Sequence, residues 1–332
     1  MRNFLKLCGA ILMILVIGIF ALSYTPIPKQ ITYGLSFNKI YADELGLPWR
    51  DVYYSILDDL QVKNLRLAAH WTVVEPEQGK YDFSVMDEEM NAARDRGVSV
   101  IFGVGRRLPR WPECHVPDWA KSLSWDDQKV AITDYITTVV NRYKDYDNIF
   151  YWQVENEPFF TKFAQDSCGT TLDEKFLEQE VALVKKLDPT RPILVTDSGN
   201  VGLWYPAYNL GDAFGTSIYL YVSNELTGPI KSLYQPWMYR FKENLVQLFR
   251  PQKPVFLIEL SLEPWLDTTI TQAPISLQLE RMNTDRFDEI ITYAKKTNFE
   301  RQYLWGAEWW YWMKNQGHPE FWEKAKLIFE NK

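Results

Sequence analysis

The sequence has few of the residues on which metal and cofactor chemistry depends. Its 332 residues include three histidines, His70, His115 and His318, and no H-x-H or H-E-x-x-H pattern. A metal-dependent hydrolase is therefore not expected. A G-x-S-x-G turn and a glycine-rich phosphate loop are also missing, which argues against a serine hydrolase and a nucleotide-binding site. We therefore expect no metal and no cofactor.

Basic residues are also fewer than acidic ones. The net charge is −7, which argues against a nucleic acid or an anionic membrane surface as the partner. Aromatic residues, in contrast, are abundant, with 14 Trp, 19 Tyr and 18 Phe. Many of these rings must fill a core, and tryptophan also suits sugar binding. Composition alone does not separate the two uses.

Only one long apolar run is present, and it lies at the N-terminus. Arg2 and Lys6 precede an uncharged stretch from Leu7 to Leu22. This pattern is typical of a signal peptide or a short membrane anchor, and Ala21-Leu22-Ser23 would serve as a cleavage site. Both interpretations stay open. In both, the remainder is exported, so we expect a secreted, periplasmic or membrane-anchored domain.

The chain divides into three segments on this basis. Residues 1–23 form the signal peptide or anchor, residues 24–30 a short linker, and residues 31–332 one domain, which we expect to be monomeric. Cysteine is rare, with three residues. Cys114 and Cys168 are an even pair in loop-like sequence of an exported domain, so a disulfide is predicted over two free thiols.

Short apolar runs alternate with longer amphipathic ones from residue 31 onward. The short runs are continuously apolar, as in strands that are buried on both faces. Eight are present: Ile31–Phe37, Asn64–Ala69, Val98–Val104, Ile149–Val154, Ile193–Thr196, Ala213–Tyr219, Val255–Leu260 and Gln302–Trp305.

Helical patterns fill the intervals between these runs. The clearest helices are predicted over Pro48–Leu60, Asp82–Arg96, Asp126–Tyr143, Asp173–Leu187, Ser232–Phe249, Ile275–Lys296 and Pro319–Glu330, whereas Val201–Leu210 is expected to be irregular. Eight strand–helix units over about three hundred residues predict an α/β fold, a (β/α)8 TIM barrel. A doubly wound open sheet is the alternative, but its glycine-rich turn is not found after the first strand.

Polar side chains lie at the predicted carboxyl ends of the strands, where barrel enzymes carry out their chemistry. The fourth run, in NIFYWQVENEP (148–158), ends in Asn156 and Glu157. The seventh, PVFLIEL (254–260), carries Glu259 among apolar neighbours. An unpaired buried carboxylate is costly, so Glu259 is either functional or paired, with Arg66 as the candidate partner.

Two carboxylates at one barrel mouth predict glycoside hydrolysis. One protonated carboxyl would donate to the departing oxygen, and an ionised one would attack the anomeric carbon or activate water. Further side chains are expected to line the pocket as substrate contacts, although His70 is almost equally well explained as a structural histidine. These are Arg66, His70, Trp71, Asn156, Tyr219, Trp305 and Glu308.

Four segments resemble the clan A retaining glycoside hydrolases, the 4/7 superfamily, and its cellulase-like family 5 members in particular. WQVENEP (152–158) is similar to the fourth-strand Asn-Glu-Pro motif of the clan. LRLAAHWTVVEPEQGKYDFSVMD (65–87), GTSIY (215–219) and FLIEL (256–260) resemble its second, sixth and seventh strands.

The resemblance implies a role for each matching residue. Glu157 would be the general acid/base, Glu259 the nucleophile, and Asn156 a partner of the sugar 2-hydroxyl. Arg66 and Tyr219 would hold Glu259 ionised, and Trp305 would form the floor of the subsite. The expected substrate is an oligo- or polysaccharide. A transglycosylase that remodels cell-surface glycan and a non-catalytic saccharide-binding barrel are the alternatives.

Overall fold

Eight short strands pair in parallel and close into a barrel. The computed structural model describes residues 2–24, 26–160, 168, 173–224 and 228–330, so the last two residues of the predicted domain lie outside the described part. The barrel strands are β1 (Thr32–Ser36), β2 (Asn64–Ala68), β3 (Ser99–Val104), β4 (Ile149–Val154), β5 (Ile193–Asp197), β6 (Ala213–Ile218), β9 (Val255–Ser261) and β10 (Arg301–Trp305). A hairpin of β7 (Tyr221–Asn224) and β8 (Gly228–Lys231) follows β6.

The strands follow one another around the barrel in chain order, and β10 pairs with β1 to close it. The predicted (β/α)8 barrel is therefore confirmed, and each predicted strand agrees with an observed one to within a residue or two at its ends. Continuous apolar runs form these strands because both faces of a parallel barrel are covered.

The N-terminal helix is α1 (Arg2–Ser23), and the other helices surround the barrel. They are α2 (Lys39–Glu44), α3 (Trp49–Asp58), α4 (Trp71–Val74), α5 (Ser84–Asp95), α6 (Asp118–Lys121), α7 (Trp125–Tyr143), α8 (Glu174–Leu187), α9 (Tyr205–Leu210), α10 (Pro236–Gln247), α11 (Ile275–Arg281), α12 (Thr284–Lys295), α13 (Ala307–Asn315) and α14 (Glu320–Glu330).

Two helix predictions need correction. The pattern over Ser232–Phe249 predicted one helix, but the helix begins only at Pro236 because residues up to Lys231 belong to the hairpin. The pattern over Ile275–Lys296 covers two helices. Asn283 interrupts it, and its side chain accepts a hydrogen bond from the Arg286 amide as the cap of the second helix.

Two apolar cores hold the barrel together. The larger lies between strands and helices, and the smaller fills the barrel interior with residues such as Tyr151, Phe256 and Tyr303. Gly34 is required in this interior because a Cβ there would lie 2.5 Å from the Tyr303 ring. Ring packing fills the lower part of the barrel, so a pocket can form only at the strand ends.

The apolar N-terminal run is a helix, α1. Its window Lys6–Ser23 has a mean hydropathy of 2.4 and is long enough to cross a membrane. The folded domain contacts the end of this helix, since Nδ2 of Asn244 in α10 donates to the carbonyl of Leu22 at 2.7 Å and to that of Tyr24 at 3.2 Å.

Candidate active site

The turn after β4 places Glu155, Asn156 and Glu157 between β3 and β5. The Glu155 amide donates to Val104, the Asn156 amide to the carbonyl of Arg107, and the Glu157 amide to Oγ1 of Thr196 at 2.8 Å. Glu155 and Glu157 have positive φ angles of 57° and 44°. Residues other than glycine rarely adopt this left-handed conformation, and such backbone strain is concentrated at functional sites.

Glu155 has a structural role in this turn. Its carboxylate accepts hydrogen bonds from the amides of Arg106 and Arg107, both at 2.6 Å. Gly105, with φ 127°, lets the chain pass, because a Cβ there would lie 2.5 Å from Oε1 of Glu155. Glu155 therefore joins the exits of β3 and β4, and the next carboxylate, Glu157, is the one free to face the pocket.

Glu259 on β9 is buried and held by two donors. Nη1 of Arg66 lies 2.6 Å from Oε1, and the Tyr219 hydroxyl donates to Oε2 at 2.8 Å. Both oxygens of this carboxylate therefore have a donor, and one of the two donors is a cation. The functional and ion-pair interpretations of Glu259 are therefore compatible, because its partner Arg66 also lies at the barrel mouth.

Arg66 ties Glu259 to the β4 turn. Its Nε donates to Gln153 and its Nη2 to Oδ1 of Asn156, both at 2.7 Å. Since the oxygen of Asn156 is turned toward Arg66, the Nδ2 group of Asn156 is oriented away from it. In the described part of the chain, this nitrogen has no protein acceptor, which suits a donor to a ligand oxygen.

Glu157 is buried beside Glu259. Oγ of Ser217 donates to Oε1 of Glu157 at 2.6 Å, and Ser217 pairs in register with Glu259 across β6 and β9. Burial raises the pKa of Glu157 well above its usual value, and the nearby charges of Glu259 and Glu113 raise it further. Glu157 is thus suited to remain protonated, as a general acid requires.

A third carboxylate, that of Glu113, lies near this pair and was not among the predicted site residues. It extends from the long segment after β3, and its Oε2 accepts from Nε of Arg107 at 2.7 Å. Burial raises the pKa of Glu113 as well. No periodic pattern marks Glu113, because it lies in a loop that Arg110 and Glu113 turn with positive φ angles of 101° and 67°.

A disulfide joins Cys114 and Cys168, which agrees with the predicted pair. It connects the residue after Glu113 to the segment that follows β4, 54 positions later in the chain. The loop that bears Glu113 is therefore fixed covalently beside the β4 turn.

Aromatic rings border the mouth on the side of β9 and β10. Trp305 is 8% exposed, and its Nε1 donates to Glu263 at 2.7 Å. Trp265, half-buried, meets the Tyr219 ring edge-on with the centroids 5.5 Å apart. Trp265 was missed, although it follows Glu259 by only six positions. Trp111 is exposed on the loop after β3.

Trp71 is not in the pocket, contrary to the prediction that it contacts substrate. It is fully buried, its Nε1 donates to Glu75, and its ring packs against Trp119 and Tyr135. No face of the indole is left for a sugar. The helix α4 begins at this residue and turns its side chain into the packing outside the barrel.

His70 is a structural histidine in this arrangement. Its Nε2 lies 3.0 Å from the Pro109 carbonyl, and its ring meets that of His115 at 4.2 Å. Burial lowers the pKa of His70 well below its usual value and that of His115 to about 4. Two neutral rings therefore pack beneath the loop after β3. The position of His70 next to Trp71 in the sequence did not indicate where either side chain lies.

Glu308 is buried at the junction of β1 and β10. Its Oε1 accepts from the Asn38 amide at 2.6 Å, and burial raises its pKa to about 8. The prediction that it contacts substrate stays a prediction. Trp309 and Trp310 next to it are fully buried and donate to Gln278 and to the Leu262 carbonyl, so these rings serve packing.

Comparisons with known proteins find glycoside hydrolases. A sequence model of glycosyl hydrolase family 10 matches residues 61–219. A probable mannan endo-1,4-beta-mannosidase F of Emericella nidulans is 24% identical over 42% of this chain and 34% of its own. Endo-1,4-beta-xylanase 1 of Gibberella zeae is 25% identical over 39% and 36%. The chain thus spans about a third of the length of these relatives.

Solved structures share the barrel. A glycoside hydrolase of family 5, subfamily 18, from Bifidobacterium longum covers 83% of this chain and 70% of its own with a TM-score of 0.58 and 11% identity. A family 10 endo-beta-1,4-xylanase from Gloeophyllum trabeum covers 85% and 84% with a TM-score of 0.51 and 14% identity. The chain is thus similar in sequence to family 10 over residues 61–219 and shares its fold with clan A glycoside hydrolases.

Clan A was the group that the sequence motifs resembled, and this prediction is confirmed. The narrower likeness to family 5 is not, because the family model that matches describes family 10. Among the described residues, no group of three His, Cys, Asp or Glu side chains could hold a metal ion.

Proposed function

We propose that the protein is a retaining glycosidase that cleaves β-linked O-glycosyl bonds in an oligo- or polysaccharide of the xylan or mannan type. The observation that carries the proposal is the unequal setting of two buried carboxyls. Burial raises the pKa of Glu157, while Glu259 is paired with the Arg66 guanidinium and accepts a hydrogen bond from the Tyr219 hydroxyl. An acid and a nucleophile facing one another are what double displacement needs.

In the first step, Glu259 attacks the anomeric carbon while Glu157 gives its proton to the glycosidic oxygen. The carbon–oxygen bond breaks, the leaving sugar departs as an alcohol, and a glycosyl ester forms on Glu259. In the second step, ionised Glu157 takes a proton from water, whose oxygen attacks the same carbon. The ester bond breaks, Glu259 leaves as a carboxylate and Glu157 is protonated again.

The remaining residues at the mouth would act on the sugar and the reacting groups. Asn156 can donate its Nδ2 to a hydroxyl next to the anomeric carbon. Trp305 would stack beneath the ring. Tyr219 and Arg66 would hold the Glu259 carboxylate in position for the attack.

The names of the relatives support a β-linked polysaccharide, since they act on mannan and xylan or are β-galactosidases.

We also infer that the domain works outside the cytoplasm. The apolar helix α1 and the disulfide between Cys114 and Cys168 both support export, because disulfides persist in oxidising compartments. Asn244 binds the carbonyls at the end of α1, which supports an anchor that stays with the domain. Residues 31–332 would then form one catalytic domain beside the membrane.

The test is turnover of aryl β-glycosides, xylan and mannan by the full chain and by Glu157→Ala and Glu259→Ala. Both variants should lose activity by about 10⁴-fold or more. Azide should partly restore Glu157→Ala on activated aryl glycosides, because it attacks the glycosyl ester without general base assistance. NMR of the first-formed product should show the anomeric configuration of the substrate.

Glu280→Ala, at an exposed position of α11, is the matched control and should keep full activity. Activity in either site variant, or an inverted product, would refute the proposal. Binding of polysaccharide without turnover would indicate a saccharide-binding barrel. Longer oligosaccharides formed with excess acceptor sugar would indicate a transglycosylase.

A further inference from the structure

The C-terminal end of α10 presents apolar side chains to solvent. Leu248 and Phe249 directly follow the helix and are 63% and 68% exposed, and Leu245 is exposed one turn earlier. Large side chains so close together at the surface are unusual for a soluble face, and clusters of this kind mark interaction sites.

This apolar cluster is continuous with the end of α1. Asn244, in the same turn as Leu245, donates to the carbonyls of Leu22 and Tyr24. Tyr24 itself is exposed, and Ile27 in the linker is 83% exposed. The apolar surface therefore surrounds the place where the anchor helix meets the domain.

The position of α1 fixes what this surface would meet. A helix of 22 residues is about 33 Å long, which matches the hydrocarbon core of a bilayer. If α1 spans the membrane, its end at Ser23 lies at the lipid headgroups. The side chains beside Asn244 then also lie at the level of the lipid headgroups.

The chemistry of the neighbouring sequence agrees with that layer. Residues 244–258 contain no acidic side chain, so this stretch itself would bring no carboxylate to the lipid surface. Tyr24 supplies an amphipathic ring of the kind enriched at membrane interfaces. The carbonyls at the end of α1, which lack helical partners, accept hydrogen bonds from Asn244.

We propose that Leu245, Leu248 and Phe249, together with Tyr24 and Ile27, form a second membrane contact that inserts into the outer leaflet beside the anchor. The inference rests on the proposed anchoring by α1. The second contact would fix the orientation of the domain, because the C-terminal end of α10 would bind the bilayer directly.

This membrane contact also determines the direction in which the pocket faces. The helix α10 runs opposite to the strands, and the chain enters β9 at Val255, six residues after Phe249. Leu248 and Phe249 therefore lie at the amino-terminal end of the barrel, whereas Glu157 and Glu259 lie at the carboxyl end of their strands. The pocket faces away from the membrane.

The experiment places a fluorescent label in the full chain, reconstituted in phosphatidylcholine vesicles. Cys8, the free cysteine of the described residues, is replaced by Ser, and Leu248→Cys is labelled with bimane. Val130→Cys on α7, also 63% exposed but on another side of the barrel, is the matched control. Lipids with a nitroxide near the headgroup serve as quencher.

We expect the label at Leu248 to shift to the blue and to lose at least half of its emission to the nitroxide lipids, while the label at Val130 behaves as in water. Equal quenching at the two positions would overturn the proposal. A blue shift that depends on protein density, without lipid quenching, would also overturn it and would indicate a second copy of the chain.

Anchoring is read out separately. Carbonate extraction and mass spectrometry of the vesicle-bound chain report whether residues 1–23 are retained in the membrane. Retention with an unquenched Leu248 label defeats the second contact alone. Release of a shortened chain defeats the anchoring and the contact together, but leaves the glycosidase proposal intact. Both labelled variants should hydrolyse the same substrates as the unlabelled chain.

Discussion

Nη1 of Arg66 and Oε1 of Glu259 form a buried ion pair at 2.6 Å, at the point where β2 and β9 reach the barrel mouth. Buried pairs gain stability only when further hydrogen bonds satisfy both partners. Here Arg66 also binds Gln153 and Asn156, and Glu259 also binds Tyr219. The pair is thus part of a network that orients the candidate nucleophile and its neighbour together.

Replacing Arg66 with Lys should reduce kcat by about 100-fold or more with a smaller change in KM. Lysine keeps the charge but cannot donate to Gln153, Asn156 and Glu259 at once. Steady-state kinetics on an aryl glycoside measures the changes in kcat and KM separately. Arg240→Lys, which changes a buried arginine paired with Glu243 away from the mouth, controls for lost stability. A kcat close to that of Arg240→Lys would rule out the positioning role.

Glu113→Gln should move the alkaline limb of the pH–rate profile to lower pH. The Glu113 charge is one of the causes that raise the pKa of Glu157, after burial and the charge of Glu259. Without it the pKa of Glu157 falls, so the acid loses its proton, and the rate declines, at lower pH. Glu44→Gln removes a charge that pairs with Arg110 in the same loop and should leave the limb in place. Coincident profiles for Glu113→Gln and wild type would exclude this electrostatic effect.

Loss of the disulfide should destabilise the domain by about 2–4 kcal/mol, since it closes a long loop of the unfolded chain. The double variant Cys114→Ser, Cys168→Ser should therefore unfold at lower urea concentration, and its kcat should fall because the Glu113 loop is released. Cys8→Ser should change neither quantity. If reductant leaves the urea midpoint of the wild type unchanged, the link does not contribute to stability.

Glu308→Gln should change the pH dependence of stability. The pKa of Glu308 is raised to about 8 by burial, so the folded state favours its protonated form. Its contribution to stability is complete below the unfolded pKa, near 4.3, and is lost as the pH rises through about 8.

Glutamine is neutral at all pH values and can still accept from the Asn38 amide. The melting temperature of Glu308→Gln relative to wild type should therefore rise between pH 5 and pH 8, as measured by calorimetry. Glu320→Gln, half-exposed on α14, should show no such trend. KM for the same variant tests whether Glu308 also contacts substrate, as its position after the last strand predicted.

The fold could be predicted from the sequence because its signal is local and repeated. Runs such as Ile149–Val154 are continuously apolar, and eight of them alternate with amphipathic stretches, so the barrel followed without any long-range information. Helix ends were less certain. The break at Asn283 depends on one capping side chain that the apolar periodicity does not register.

The candidate site was predictable where a residue lies on a strand. Glu259 was found because a carboxylate is anomalous among Phe256, Leu257 and Ile258, and the structure brings it to Arg66. Loop residues gave no such contrast. Trp71 was misplaced because a tryptophan next to a strand end can turn either inward or outward, whereas Glu113 depends on a loop path that is set by left-handed residues and a disulfide.

A domain seated on lipid by the C-terminal end of α10 would hold its pocket at one fixed height. Strands of five to seven residues span roughly 17–23 Å, so the mouth would open about that far above the headgroups. Glycan that occupies this layer is presented at high local concentration, and weak binding then suffices for steady turnover. Polymer beyond the layer is out of reach, however tightly the pocket could bind it.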